Sequence, residues 1–180
     1  MVDEARVEQR GSGLAPATDG WFVVNVRDAS WLTHDVFGSD CGFESDVAEF
    51  AELGIRLQVL LPGQPNGLYH REDTQEDFLV LAGECLLLVE NEERRLRAWD
   101  FVHCPPMTEH IFVGAGEGPC VVLMVGTRKP GRPIVYAVSE LALRHRAGVA
   151  TETPSPRDAY APYPDERAER PASWDALPWA

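Results

Sequence analysis

Gly67-Leu-Tyr-His70-Arg-Glu72-Asp-Thr-Gln-Glu76-Asp-Phe-Leu-Val-Leu-Ala-Gly83, followed after a hairpin by Trp99-Asp-Phe-Val-His-Cys-Pro105-Pro-Met-Thr-Glu-His110, is the stretch that decides the fold. It supplies two histidines and two glutamates that a small β-barrel can aim at one metal ion. His70, Glu72 and Glu76 are evenly spaced, and on an extended strand even steps share a face. Two residues along a strand span about 6.6 Å, short enough for His70 and Glu72 to converge on a cation about 2 Å from each ligand atom. His110 must enter from another strand, with Pro105-Pro106 fixing its direction. Imidazole nitrogen and carboxylate oxygen suit Zn, Fe, Mn, Ni or Co rather than softer ions.

The flanking sequence reads as short strands separated by turns. Ile55, Leu57, Val59 and Leu61 alternate with Arg56 and Gln58, and Pro62 to Gly67 is a turn cluster. Phe78 to Leu81 is an apolar run ended by Gly83. Cys85 to Val89 and Arg94 to Ala98 flank Glu90-Asn91-Glu92-Glu93 as a hairpin. Phe101 to Cys104, Ile111 to Val113, Cys120 to Gly126 and Ile134 to Ala137 complete the series. Such spacing predicts an all-β fold, a single small antiparallel β-barrel or jelly roll.

Outside that region, residues 1–20 mix charge, Gly and Pro without period and predict a flexible leader. Trp21 to Val26 predicts a first strand, and Asp46 to Leu53 a short helix capped by Ser45 and stopped by Gly54. The barrel is expected over residues 21–137. Residues 138–180 follow as a short helix, capped by Ser139 and ended by Gly148, and a docking arm. From Thr151 onward the arm holds six of the 14 prolines together with Tyr160, Tyr163, Trp174 and Trp179. A disordered tail seldom keeps so many aromatics, so the arm is expected to dock on its own barrel or on a second subunit.

Composition narrows the function. A chain of 180 residues is long enough for one domain with its own core, and its net charge of −13 disfavours nucleic acid and anionic lipid as partners. No secretory signal or membrane-length apolar run is visible, which predicts a cytoplasmic protein. Cys41, Cys85, Cys104 and Cys120 form no CxxC pair and read as packed, reduced thiols. His34 and His145 read as surface residues, and His103 as a packed, hydrogen-bonded histidine whose side of the strand is undetermined.

The two motifs resemble those of the cupin superfamily. Its first motif is G-x5-H-x-H-x3–4-E-x6-G, and His70 to Gly83 follows it as H-x-E-x3-E-x6-G. Its second is G-x5-P-x-G-x2-H-x3-N, and Trp99 to Gly114 keeps that spacing with Trp99, Met107 and Gly114 in the Gly, Gly and Asn slots. The resemblance covers roughly residues 55 to 126. It implies an antiparallel jelly roll with a divalent transition metal inside, held at His70, Glu72, Glu76 and His110. Glu72 stands where the family has a histidine. As a ligand it adds negative charge; swung free, it is a possible general base; otherwise it is a supporting or solvated carboxylate. For His70, Glu76 and His110 the competing reading is a buried polar network.

The resemblance further implies a small-molecule ligand or substrate, oxygenase, isomerase or decarboxylase chemistry, and a homodimer. The alternative is a non-catalytic module that binds a small ligand or serves structurally.

Overall fold

The computed structural model describes residues 1–179. A hairpin, β1 (Val7–Arg10) and β2 (Gly13–Pro16), lies within the segment expected as a flexible leader and precedes the barrel. Backbone bridges at Glu4–Trp21 and Leu14–Ala29 tie this hairpin to the following segment. Trp21 to Val26, expected as a strand, instead runs alongside as irregular chain.

The barrel strands then follow as β3 (Leu32–His34), β4 (Gly38–Gly42), β5 (Leu53–Leu60), β6 (Arg71–Glu72), β7 (Glu76–Ala82), β8 (Glu84–Val89), β9 (Glu92–Arg97), β10 (Phe101–Cys104), β11 (His110–Ala115), β12 (Cys120–Thr127) and β13 (Ile134–Val135). Six of them form an antiparallel sheet in the order β10-β7-β12-β5-β4-β3. A second sheet has the order β11-β8-β9, and β13 pairs with β6. The β8–β9 turn is two residues long, with Glu90 at φ 49° and Asn91 at φ 62°, the left-handed pair that matches strand twist.

Between the two main sheets lies a core that includes Leu60, Phe78, Val80, Leu87, Phe112, Val122 and Met124. The alternation along β5 has a consequence for the site. Leu57 and Val59 belong to a different cluster, outside the large sheet, with Trp31, Val121 and Leu177. Arg56 and Gln58, on the opposite face with Leu60, therefore point inward. The large sheet is buried on both sides because the C-terminal arm covers its outer face. Trp174 and Trp179 pack on fully buried Trp31 at ring distances of 5.8 and 5.6 Å. Of the two docking places expected for the arm, the one observed is the chain's own barrel.

Helix α1 (Glu140–Arg144) lies against the outside of the small sheet. Ser139 caps it as expected, its hydroxyl accepting from Ala142 N. The left-handed position at its end is Arg146 (φ 58°) rather than Gly148. Gly148 is needed for space, since a Cβ there would stand 2.8 Å from Leu143 N. A second short helix, α2 (Pro156–Tyr160), begins the arm. Asp46 to Leu53 forms no helix: Ser45 and Ala48 bridge each other, and the Glu44 carboxylate accepts from Phe50 N. Among the described residues no helix is long and apolar enough to cross a membrane.

Candidate metal centre

His70 and His110 face each other on adjoining segments and exchange backbone hydrogen bonds, His110 N to His70 O at 2.9 Å and His70 N to His110 O at 3.3 Å. Their rings lie 5.3 Å apart. Glu76, the first residue of β7, arrives from the large sheet on the same inward row as Phe78 and Val80. The ligand-capable atoms of His70, Glu76 and His110 all lie within 4.8 Å of one another.

The tautomers are fixed locally. His70 Nδ1 is 2.8 Å from Leu68 O, and His110 Nδ1 is 3.0 Å from Thr108 O. A carbonyl oxygen only accepts, so each Nδ1 carries the hydrogen and each Nε2 turns a lone pair inward. Glu76 Oε2 stands 3.4 Å from His110 Nε2. Two nitrogen lone pairs and a carboxylate thus converge, an arrangement that requires a proton or a cation between them. The residues present fit a divalent metal: correct donors, correct tautomers, and carbonyl anchors that hold both rings from behind.

Burial sets the protonation. It pushes His70 down to about 3, helped by the neighbouring His110, against the Leu68 carbonyl. His110 is lowered by the same desolvation. Glu76 is pushed up to about 7 by burial and then by the Glu72 carboxylate.

Glu72 does not join the cluster. Although only 5% exposed, it has both oxygens engaged. Oε2 accepts from Arg132 Nε at 2.9 Å and Oε1 from Thr74 Oγ1 at 2.6 Å. Arg132 belongs to the connection between β12 and β13, which is pinned twice more, by Arg128 to Glu44 and Lys129 to Asp73.

The departures at the glycine slots of the second motif keep glycine geometry. Trp99 and Met107 have φ of 77° and 71°. Met107 N donates to Glu72 O at 2.8 Å, joining the two motifs. Gly114, in the family's Asn slot, is required by packing, for a Cβ would meet Leu61 O at 2.2 Å.

His103 lies outside the barrel, its Nδ1 2.6 Å from Asp77 Oδ1, while Cys104 points into the core. All four cysteines are buried free thiols, as expected of packed core residues. His34 is a correction: it is buried, with Nε2 against Pro164 O at 3.0 Å and Nδ1 accepting from Val36 and Phe37 N. His145 is half-buried and bonds Glu93.

The cluster opens into a cavity of about 590 Å³, within the size range of small-molecule sites. Residues not singled out in sequence also line it, among them Arg56, Asn66, Arg132, Tyr136 and Tyr160. The signal that could have found Arg56 is its polarity on a strand whose other face is apolar.

The sequence profile described as Cupin domain matches residues 56–126. Among solved structures, the chain is similar to a sugar phosphate isomerase of the cupin superfamily from Silicibacter pomeroyi, at 22% identity and a TM-score of 0.55, covering 64% of this chain and 81% of that one. It is similar to the polyketide cyclase RemF from Streptomyces resistomycificus, at 14% identity and a TM-score of 0.52, covering 61% and 82%. A candidate sugar phosphate isomerase from Acidithiobacillus ferrooxidans shares 28% identity at a TM-score of 0.44, over 46% of this chain. The chain spans 55% of the length of that protein. No curated protein matches it. With both motifs in register within a jelly roll of antiparallel sheets, residues 56–126 are a cupin domain.

Proposed function

We propose that this chain is a metal-dependent enzyme that transforms a small oxygenated organic molecule inside the barrel. The ligands would be His70, Glu76 and His110, holding Zn, Fe, Mn, Ni or Co. Of the three roles open to Glu72, ligand, base or supporting carboxylate, it would take the third, anchoring Arg132. The observation that carries this reading is the convergence of two Nε2 lone pairs and one carboxylate within 4.8 Å, each imidazole fixed through Nδ1 to a carbonyl.

Three protein ligands leave coordination positions free, and a metal there would supply a Lewis acid able to polarise a substrate oxygen. Oxygenase, isomerase and decarboxylase chemistry all share that requirement. The chain's own contribution is orientation. The two carbonyl anchors hold the imidazoles, and the polar wall offers donors to a bound oxygen function.

The test is metal content of purified protein, wild type against His70→Ala, Glu76→Gln and His110→Ala. Near-stoichiometric metal in the wild type and loss in each variant is expected. Full retention in the two histidine variants would refute the ligand set. Turnover of keto-acid, phenolic and sugar substrates then identifies the reaction class, and turnover lost with the metal supports an enzyme over a binding module.

A further inference from the structure

The cavity beside the triad contains a cation that the fold itself does not use. Three arginines line it, Arg56, Arg128 and Arg132. Arg128 and Arg132 are neutralised by Glu44 and Glu72. The Arg56 guanidinium makes no hydrogen bond and no close ion pair among the described residues, and acts on the half-buried Asp40 carboxylate only at longer range, although the chain carries 29 acidic residues against 16 basic ones. Its five donors are free. It stands solvent-exposed at the mouth of the cavity: on the inward face of β5 its register partners are Gly42 and Met124, and beyond Met124 comes Phe78.

Space has been left beside it. A Cβ built on Gly42 would meet nothing within 4 Å. Gly54 and Gly126, paired across β5 and β12, line the same wall. Side chains are missing where a ligand would need room, and a guanidinium is unpaired where it would need a counter-ion.

The charge balance has a definite sign. With two arginines cancelled by their partners, Arg56 remains with the carboxylates of Glu76 and of half-buried Asp40, on which Arg56 acts by charge, and a divalent metal on the triad still leaves the site net positive. We infer that the occupant is a small oxyanion, a carboxylate or a phosphate monoester bearing a second oxygen function. Its anionic group pairs with Arg56 and its other oxygen points at the His70–Glu76–His110 cluster. The second contact rests on the metal reading given above; the first does not. Arginine suits this task because its planar fork matches the oxygens of carboxylate and phosphate.

Binding of sulfate, as a phosphate-like probe, and of succinate tests this by calorimetry. Both are titrated into chelator-treated protein and again after Mn²⁺ is added, with neutral erythritol as control. Wild type is expected to bind at least one anion and not erythritol, more tightly with Mn²⁺. Arg56→Gln should weaken that binding about ten- to a hundredfold, with Arg56→Lys between. Gly42→Leu should abolish it by filling the space with Arg56 intact. Metal content should be unchanged in all three variants.

Sulfate preference indicates a phosphate-type ligand, and succinate preference a carboxylate. Equal anion binding by wild type and Arg56→Gln would overturn the inference, as would wild type that binds neither anion at millimolar concentration. Arg56-dependent binding in a protein that takes up no Mn²⁺ would sink the metal reading and leave this one standing. Mn²⁺ uptake with anion binding indifferent to Arg56 would do the reverse.

Discussion

Glu76 Oε2 lies 3.4 Å from His110 Nε2, two groups that both present lone pairs because the hydrogen of His110 sits on Nδ1, which donates to Thr108 O. A cation or a proton must mediate between them, and the two compete. Glu76 holds its proton up to about 7 because it is buried beside Glu72. His70, driven down to about 3, is already neutral at pH 5. His110 is lowered below the ordinary imidazole range by burial, so toward pH 7 the competing proton is that of Glu76. Metal affinity should rise as the pH approaches about 7 and flatten above it. Competition titration against a chromophoric chelator at several pH values measures it. In Glu76→Gln the rise should vanish and the affinity should drop. A wild-type affinity that does not vary with pH would show that Glu76 is not the group displaced.

The Glu72–Arg132 pair should be structural, and its two halves unequal. Glu72 is nearly closed to solvent, whereas the Arg132 side chain is 39% exposed. Arg132→Gln leaves a buried carboxylate with only Thr74 as donor and should cost about 1–2 kcal/mol, reduced from a fully buried case by the solvent at Arg132. Glu72→Gln should cost less, because the freed guanidinium can be hydrated. The double variant should recover most of the loss, a coupling that urea denaturation of all four proteins reads directly. Additive losses would mean that the two side chains do not act as a pair.

Much of the site was legible before any coordinates because the spacing of the two motifs resembles that of a known family. Strand alternation alone did not place it: β6 ends at Glu72, β7 begins at Glu76 in another sheet, and the fold of the chain between them brings Glu76 to His70 and His110. The partners of Glu72 were not legible. Arg132 is 60 residues away, on a connection whose path no local pattern encodes. Arg56 was hidden for a different reason. Alternation along β5 says which residues share a face but not which face is inside, and here the apolar one is outside, under the arm. His34 was misread as surface because its cover, Pro164 O, belongs to that same arm. At Asp46 to Leu53 the backbone hydrogen bonds go to Glu44 and to the Ser45–Ala48 bridge, and a plausible capped helix loses to tertiary context.

The arm should contribute measurably to stability. Trp174 meets the edge of buried Trp31 and carries the Arg170 guanidinium 4.6 Å above its own ring. Trp174→Ala removes both contacts and opens the outer apolar face of the large sheet. A loss of about 2–4 kcal/mol is expected, somewhat below a fully buried tryptophan because Trp174 is only half covered. Chemical denaturation gives the value. A loss under about 0.5 kcal/mol would indicate that the arm lies on the sheet without supporting it.

Trp99 and Met107 stand where the related motif has glycine, and the backbone has not adapted to them. Their φ values of 77° and 71° belong to the left-handed region, which costs a side-chain-bearing residue about 1–2 kcal/mol. Neither side chain recovers this by packing, for Trp99 is 74% and Met107 45% exposed. Replacement by glycine removes the strain but adds freedom to the unfolded chain, a penalty of about 0.5–1 kcal/mol. Trp99→Gly and Met107→Gly should therefore each raise stability slightly, by up to about 1 kcal/mol. The bonds from Trp99 N to Val80 O and from Met107 N to Glu72 O survive either change, since both use only backbone atoms. Thermal unfolding of the two variants and their combination supplies the test, with metal content as a check that the linked motifs are intact. A drop in stability at either site would mean that the exposed side chain makes a contact worth more than the strain it imposes.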